Sequence, residues 1–146
     1  MKRAKSMTNV HAVKRGMTSP LRASGVSFVV YGNCASLKNS RRLVKNKRND
    51  TWKLIRSSAS IAFMEAFQYQ VPPECRNLKL GSLKEPLRLV ATVYYYSRRS
   101  DLDVSAVMDG LQATGVIAND RFIIEQHLYA EVDAKNPRVE LTVELI

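Results

Sequence analysis

The 146-residue chain has few of the residues on which small-protein sites are commonly built. Its two cysteines, Cys34 and Cys75, stand far apart in no CxxC or Cys/His pattern, which argues against a zinc site and implies no disulfide framework. Two unpaired thiols suit a reducing, cytoplasmic setting. Of the two histidines, His11 lies in a polar N-terminal stretch, and His127 sits in an apolar strand pattern that reads as structural. No run of eighteen apolar residues is present, so no membrane-spanning segment is expected. The basic N-terminus has no apolar stretch behind it, which argues against a signal peptide. No GxGxxG or GxxxxGK[ST] phosphate loop occurs, and no internal repeat.

Charge is abundant and unevenly placed. Residues 1–56 carry fourteen Lys and Arg against Asp50 alone, whereas the remainder holds nine Lys and Arg against twelve Asp and Glu. The net charge of +10 therefore belongs to one end of the chain, which attracts polyanions, while the other end supplies carboxylates. This asymmetry suits a nucleic-acid binder. The apolar fraction of 45% is that of a globular body, and the length predicts one domain, residues 26–146, behind a basic arm over residues 1–25 with too few large apolar groups to fold.

Along the body, "VSFVVYG" (Val26–Gly32) reads as a strand and the Lys/Arg/Asn-rich residues 33–49 as a loop. A helix capped by Asn49 or Asp50 is expected over about 51–69, with Trp52, Ile55, Ala59, Ala62, Phe63 and Ala66 on one face. Pro72 and Pro73 end it. In Leu87–Tyr96, Leu87, Leu89, Ala91 and Val93 alternate with Arg88, Val90, Thr92 and Tyr94, the period of a strand. Val104, Val107, Met108 and Leu111 predict a helix over about 104–114, with Gly115 at its C-terminal cap. Strands over Phe122–Val132 and Arg138–Ile146 follow. The order β, α, β, α, β, β predicts an α+β fold, a small mixed sheet with two main helices.

Asp101 and Asp103 fall where the long strand gives way to the second helix, and Asp120 in the turn ahead of the next strand. Residues i and i+2 of an extended segment project to one side, so both carboxylates can face one point. Should the strand after Asp120 pair beside Leu87–Tyr96, the helix is expected to fold back and bring Asp120 to the same sheet end. Three convergent carboxylates repel unless a cation joins them, and oxygen ligands suit Mg²⁺ or Mn²⁺. Next to a phosphate-binding surface, such an ion points to phosphodiester hydrolysis. The alternative is structural: Asp103 as a helix cap, Asp101 paired with Arg98 or Arg99, Asp120 as a turn former, Asp109 solvated or paired.

The stretch "SRRSDLDVSAVMDGLQATGVIANDRFI" resembles the core of the RusA-type Holliday-junction resolvases, the crossover-junction endodeoxyribonucleases of bacteria and their prophages. That family carries a DLDN motif leading into a helix that ends "DAL…G", followed by a "DD" or "ND" turn. Here the matching residues are Asp101–Asp103, Asp109–Leu111 and Asn119–Asp120. "SLKNSRR" (Ser36–Arg42) is similar to the family's loop after its first strand, and "KNPRVELTVEL" (Lys135–Leu145) to its last strand. The resemblance covers residues 26–145. It implies a homodimeric, Mg²⁺-dependent nuclease that resolves four-way DNA by paired symmetric nicks, in recombination and repair. Its essential acidic metal ligands fall on Asp101, Asp103 and Asp120. Two positions depart from the pattern: Val104 stands where the family has Asn, and the family's helix lysine falls on Ser105 or Val107. Lys38 is the first candidate to replace that lysine and Arg98 the second.

The DNA contacts expected are Lys38, Asn39, Arg41, Arg42, Lys45, Lys47, Arg48, Arg98 and Arg99. Apolar strands at 26–31 and 87–96 suit a strand-mediated dimer, whose two-fold symmetry matches that of a junction. Two other readings fit the same residues: a branched-DNA-binding protein without catalysis, and a basic nucleic-acid-binding or assembly protein with structural carboxylates.

Overall fold

Five side chains two residues apart, Leu87, Leu89, Ala91, Val93 and Tyr95, are all buried on one face of the central strand, as the alternation predicts. In a computed structural model that describes residues 24–36, 41–98 and 101–146, this strand is one of four in a mixed sheet. In chain order the elements are β1 (Gly25–Tyr31), β2 (Arg41–Asn46), β3 (Thr51–Arg56), α1 (Ser58–Gln70), β4 (Leu87–Tyr95), α2 (Ser105–Ala113), β5 (Ile123–Val132) and β6 (Arg138–Leu145). The four-stranded sheet has the order β1-β6-β4-β5, and β2 and β3 form a separate antiparallel hairpin. The α+β expectation is met. Among the described residues no helix is long and apolar enough to cross a membrane.

β6 runs antiparallel to both β1 and β4, and β5 runs parallel to β4, so β1, β4 and β5 share one direction. The helices cover one face of this sheet. Phe67 is fully buried, with edge-on ring contacts to Phe28 of β1 and Phe63 of its own helix, both at 6.1 Å. The opposite face is polar. There Arg88 bridges Glu125 and Glu144, and Arg138 lies 3.7 Å over the Tyr94 ring while pairing with Asp133 and Glu140.

α2 ends as its sequence predicts. Gly115 takes φ +78°, its N–H reaches the Gln112 carbonyl, and the Val116 N–H reaches the Leu111 carbonyl at 2.9 Å. That pair of bonds is a Schellman cap, sealed by the buried Leu111 and Val116 side chains. The glycine inside α2 has a different reason. A Cβ on Gly110 would lie 2.5 Å from the Phe67 ring, so the bare backbone lets the two helices close on that ring. Gly110→Ala should therefore lower stability by about 1–3 kcal/mol through overpacking, despite alanine's better helix propensity, as chemical denaturation would show.

The first helix differs from expectation. Thr51–Arg56 is a strand, and α1 begins only at Ser58, with Ser57 as its cap accepting from the Ser60 N–H at 3.2 Å. Its inward stripe is Ser60, Phe63 and Phe67, while Ala59 and Ala62 are exposed. The expected loop over 33–49 likewise contains β2. Asn49 and Asp50, expected as caps, build the hairpin turn instead. The Asp50 N–H bonds the Asn46 carbonyl with Asp50 at φ +58°, and the Asn49 side chain accepts from Thr51.

β4 also differs in its surroundings. It is flanked by β6 and β5 and has no free edge, so its apolar residues are consumed within one chain rather than offered to a partner. Among the described residues, the outer strands of the sheet are β1 and β5.

Candidate carboxylate site and basic hairpin

The exits of β1 and β4 and the entry to β6 meet at one end of the sheet. The Gly32 N–H bonds the Pro137 carbonyl, the Asp133 N–H bonds the Tyr95 carbonyl, and the Asn33 side chain accepts from the Tyr96 N–H, all at 2.9 Å. Asp101 and Asp103 lie on the connection leaving this end toward α2.

Asp103 is pinned. Only 7% of it is exposed, and its carboxylate accepts from the Ser36 hydroxyl at 2.8 Å, the Ser105 hydroxyl at 2.7 Å and the Ser105 N–H at 3.0 Å. The cap position expected for this aspartate is held by Val104, which makes no side-chain cap bond, and Asp103 instead anchors the start of α2 from one residue earlier through Ser105. The Tyr95 phenol fixes the backbone beneath: it donates to the Asp101 carbonyl at 3.0 Å and accepts from the Asp103 N–H at 3.2 Å. Burial raises the Tyr95 pKa, which keeps the phenol protonated and able to donate. Cys34 packs against the same segment, and burial, with Asp103 nearby, pushes its thiol up to about 12. Cys75 is also buried and free, its thiol pushed up to about 11 by burial and then Glu74. Both stay protonated at neutral pH and are poor nucleophiles.

Asp101, by contrast, is exposed. Ser36, Tyr95 and Ser105, which hold this site together, carry no signal of that role in the sequence apart from Ser36 lying in the "SLKNSRR" loop.

Asp120 is elsewhere. β5 starts beside Leu87, the first residue of β4, because the two strands are parallel in register. Asp120 therefore precedes β5 at the opposite end of the sheet, where its N–H bonds Gln112 in the last turn of α2 at 2.9 Å. The length of α2, about 12 Å at 1.5 Å per residue, separates it from Asp103. Ligand oxygens sit about 2.1 Å from a shared Mg²⁺, so one chain cannot close this gap without rearrangement. The expectation that the helix returns Asp120 to the same sheet end is corrected: a parallel crossover returns it to the start of β4. Among the described residues no group of three or more His, Cys, Asp or Glu side chains is placed to hold a metal ion. Asp103 accepts from Ser36 and Ser105, so a cation held there would share a carboxylate that is already engaged, whereas Asp101 is exposed.

The basic residues divide in the same way. Lys38, Asn39 and Arg99 lie outside the described residues. Arg41 and Arg42 begin β2, Lys45 is on β2, and Lys47 and Arg48 occupy the hairpin turn, with Lys45, Lys47, Arg48 and Arg98 exposed. Residues 41–56 thus hold seven Lys and Arg against Asp50, on a hairpin that follows soon after Asn33–Ser36 and the Asp103 contact. His127 lies on the polar sheet face at 2.6 Å from Glu125, consistent with a structural role.

In comparisons with known proteins, no family model matches the chain and no curated protein matches it.

Proposed function

We propose that the protein is a Mg²⁺-dependent endonuclease of branched DNA, a junction resolvase acting in the cytoplasm as a homodimer. The observation that carries this reading is a juxtaposition. Ser36 bonds Asp103 five residues ahead of the basic hairpin, and this link supports a reading in which phosphate gripped by the hairpin reaches the Asp101–Asp103 segment. A bound Mg²⁺ would activate water and offset charge on the phosphoryl oxygens. The chain's own part is to fix Asp103 through Ser36 and Ser105, to hold the Asp101 backbone through Tyr95, and to grip phosphates with Lys45, Lys47 and Arg48.

Asp120 joins that site from a second copy. Among the described residues β5 is an outer strand with no second neighbour, with Ile124, Tyr129 and Val132 exposed, and an uncovered apolar edge strand is a template for pairing. Antiparallel pairing of two β5 edges about a two-fold axis sets the start of each beside the end of the other. Each Asp120, just ahead of β5, then reaches the sheet end where the other copy keeps Asp101 and Asp103.

The test is complementation on a synthetic four-way junction with Mg²⁺ or Mn²⁺. Asp101→Asn and Asp120→Asn chains should each be inactive alone. Co-refolded as an equal mixture, random pairing leaves roughly a quarter of shared sites intact and nicking should return. If both carboxylates act within one chain, no site is intact and nothing returns. The second reading, a branched-DNA binder without catalysis, is favoured by the hydrogen bonds that already occupy Asp103. It becomes the better one if the parent protein binds junctions but nicks none with either metal.

A further inference from the structure

We propose that the β2–β3 hairpin is a base-contacting ribbon, and that the indole of Trp52 stacks on an unpaired base at the branch point of its DNA. The inference rests on the branched-DNA reading above and adds to it a ligand class and a residue that phosphate contacts do not require.

Trp52 is 63% exposed and Leu43 61%, with Val44 also exposed, although these are side chains that a core normally takes. The hairpin pairs with no third strand among the described residues. An isolated two-stranded hairpin is marginal in water, so its apolar residues need an occupant. The charge on the ribbon selects which. Seven Lys and Arg against one Asp set two copies against each other, whereas a polyanion is drawn in.

The local geometry agrees. Register places Lys45 opposite Trp52, and the Lys45 ammonium lies 5.9 Å from the indole centroid while pairing with Asp50 at 2.8 Å. An aromatic face beside a cation, on an element that projects a positive surface, is the arrangement that holds an unstacked base and its phosphate together. A continuous duplex keeps its bases stacked and offers the ring nothing. The exchange point of a junction, or a single strand, offers free base faces.

Trp52 is the chain's single tryptophan, so emission reports on this position alone. The experiment titrates the full-length Asp101→Asn protein with a four-way junction, a single strand and a matched duplex, recording emission and, separately, binding by the anisotropy of labelled DNA. The junction and the single strand should quench the indole strongly and the duplex little. Trp52→Ala should weaken junction binding about tenfold, with Trp52→Phe retaining most of it. Junction binding with unchanged emission and an unaffected Trp52→Ala protein would overturn the stacking contact while leaving the DNA reading intact. Equal quenching by duplex would overturn the preference for unpaired bases. An emission change that follows protein concentration without DNA would assign the ribbon to self-association. Absence of binding to any DNA would remove this inference together with the reading beneath it.

Discussion

The Asp101→Asn protein is expected to bind a four-way junction with the affinity of the parent and to nick it about 100-fold more slowly or less. A ligand to a catalytic cation contributes several kcal/mol of transition-state stabilisation, and each 1.4 kcal/mol is about tenfold in rate. Asp101 is exposed, so its amide isostere should leave the thermal midpoint where it was. Asp103→Ala should behave differently. It removes an acceptor that serves Ser36 and both donors of Ser105, and leaves those groups at a largely buried position. A loss of about 3 kcal/mol is expected, or roughly 10 °C in midpoint for a domain of this size. Asp103→Asn, which keeps one acceptor oxygen, should lose less. Junction nicking by single-turnover assay and melting by circular dichroism separate the two roles: one aspartate fails in chemistry alone, the other in folding too. Equal nicking by parent and Asp101→Asn proteins would remove that carboxylate from the reaction.

Phe67→Ala is expected to cost about 4 kcal/mol, a larger stability loss than that of Asp103→Ala. The ring is fully buried, contacts Phe28 and Phe63 and lies against Gly110, so truncation opens a cavity between sheet and both helices. The Gly110 geometry adds a sharper expectation. With the ring gone, Gly110→Ala should lose most of its penalty, because the atoms it strikes are those of Phe67. A double-mutant cycle by urea denaturation should thus give a coupling of about 1 kcal/mol or more, and additive losses would contradict the packing described.

The parts of this fold that are legible in the sequence are those decided by neighbours within a few residues. β4 follows from strict alternation, α2 from its apolar stripe and Gly115, and the end of α1 from Pro72 and Pro73. The hairpin is not legible because Trp52 and Ile55 continue the helical spacing of Phe63 and Ala66. The competing signal, alternation in "TWKLIR" after the turn-forming "NKRND", is short and sits among charges. Ser57 is the boundary mark, since it is the first good cap before an uninterrupted helical run. For the candidate site, the position of Asp101 and Asp103 at a strand-to-helix junction is legible. The position of Asp120 is not, because the direction of β5 is set by pairing with β4 thirty-six residues earlier, and a parallel or an antiparallel return leaves the same local pattern. The hold of Ser36 on Asp103 spans sixty-seven residues and is invisible for the same reason.

The place of β6 between β1 and β4 bears on biogenesis. The first and third partners of the sheet cannot touch until the final strand is available to slip between them. During synthesis, the emerging polypeptide therefore carries two oily half-structures with unsatisfied backbone until the segment from Arg138 to Leu145 has left the ribosome. Nascent chains stalled before Arg138 should be clients for chaperones, and messages cut short there should yield insoluble product rather than a smaller folded species.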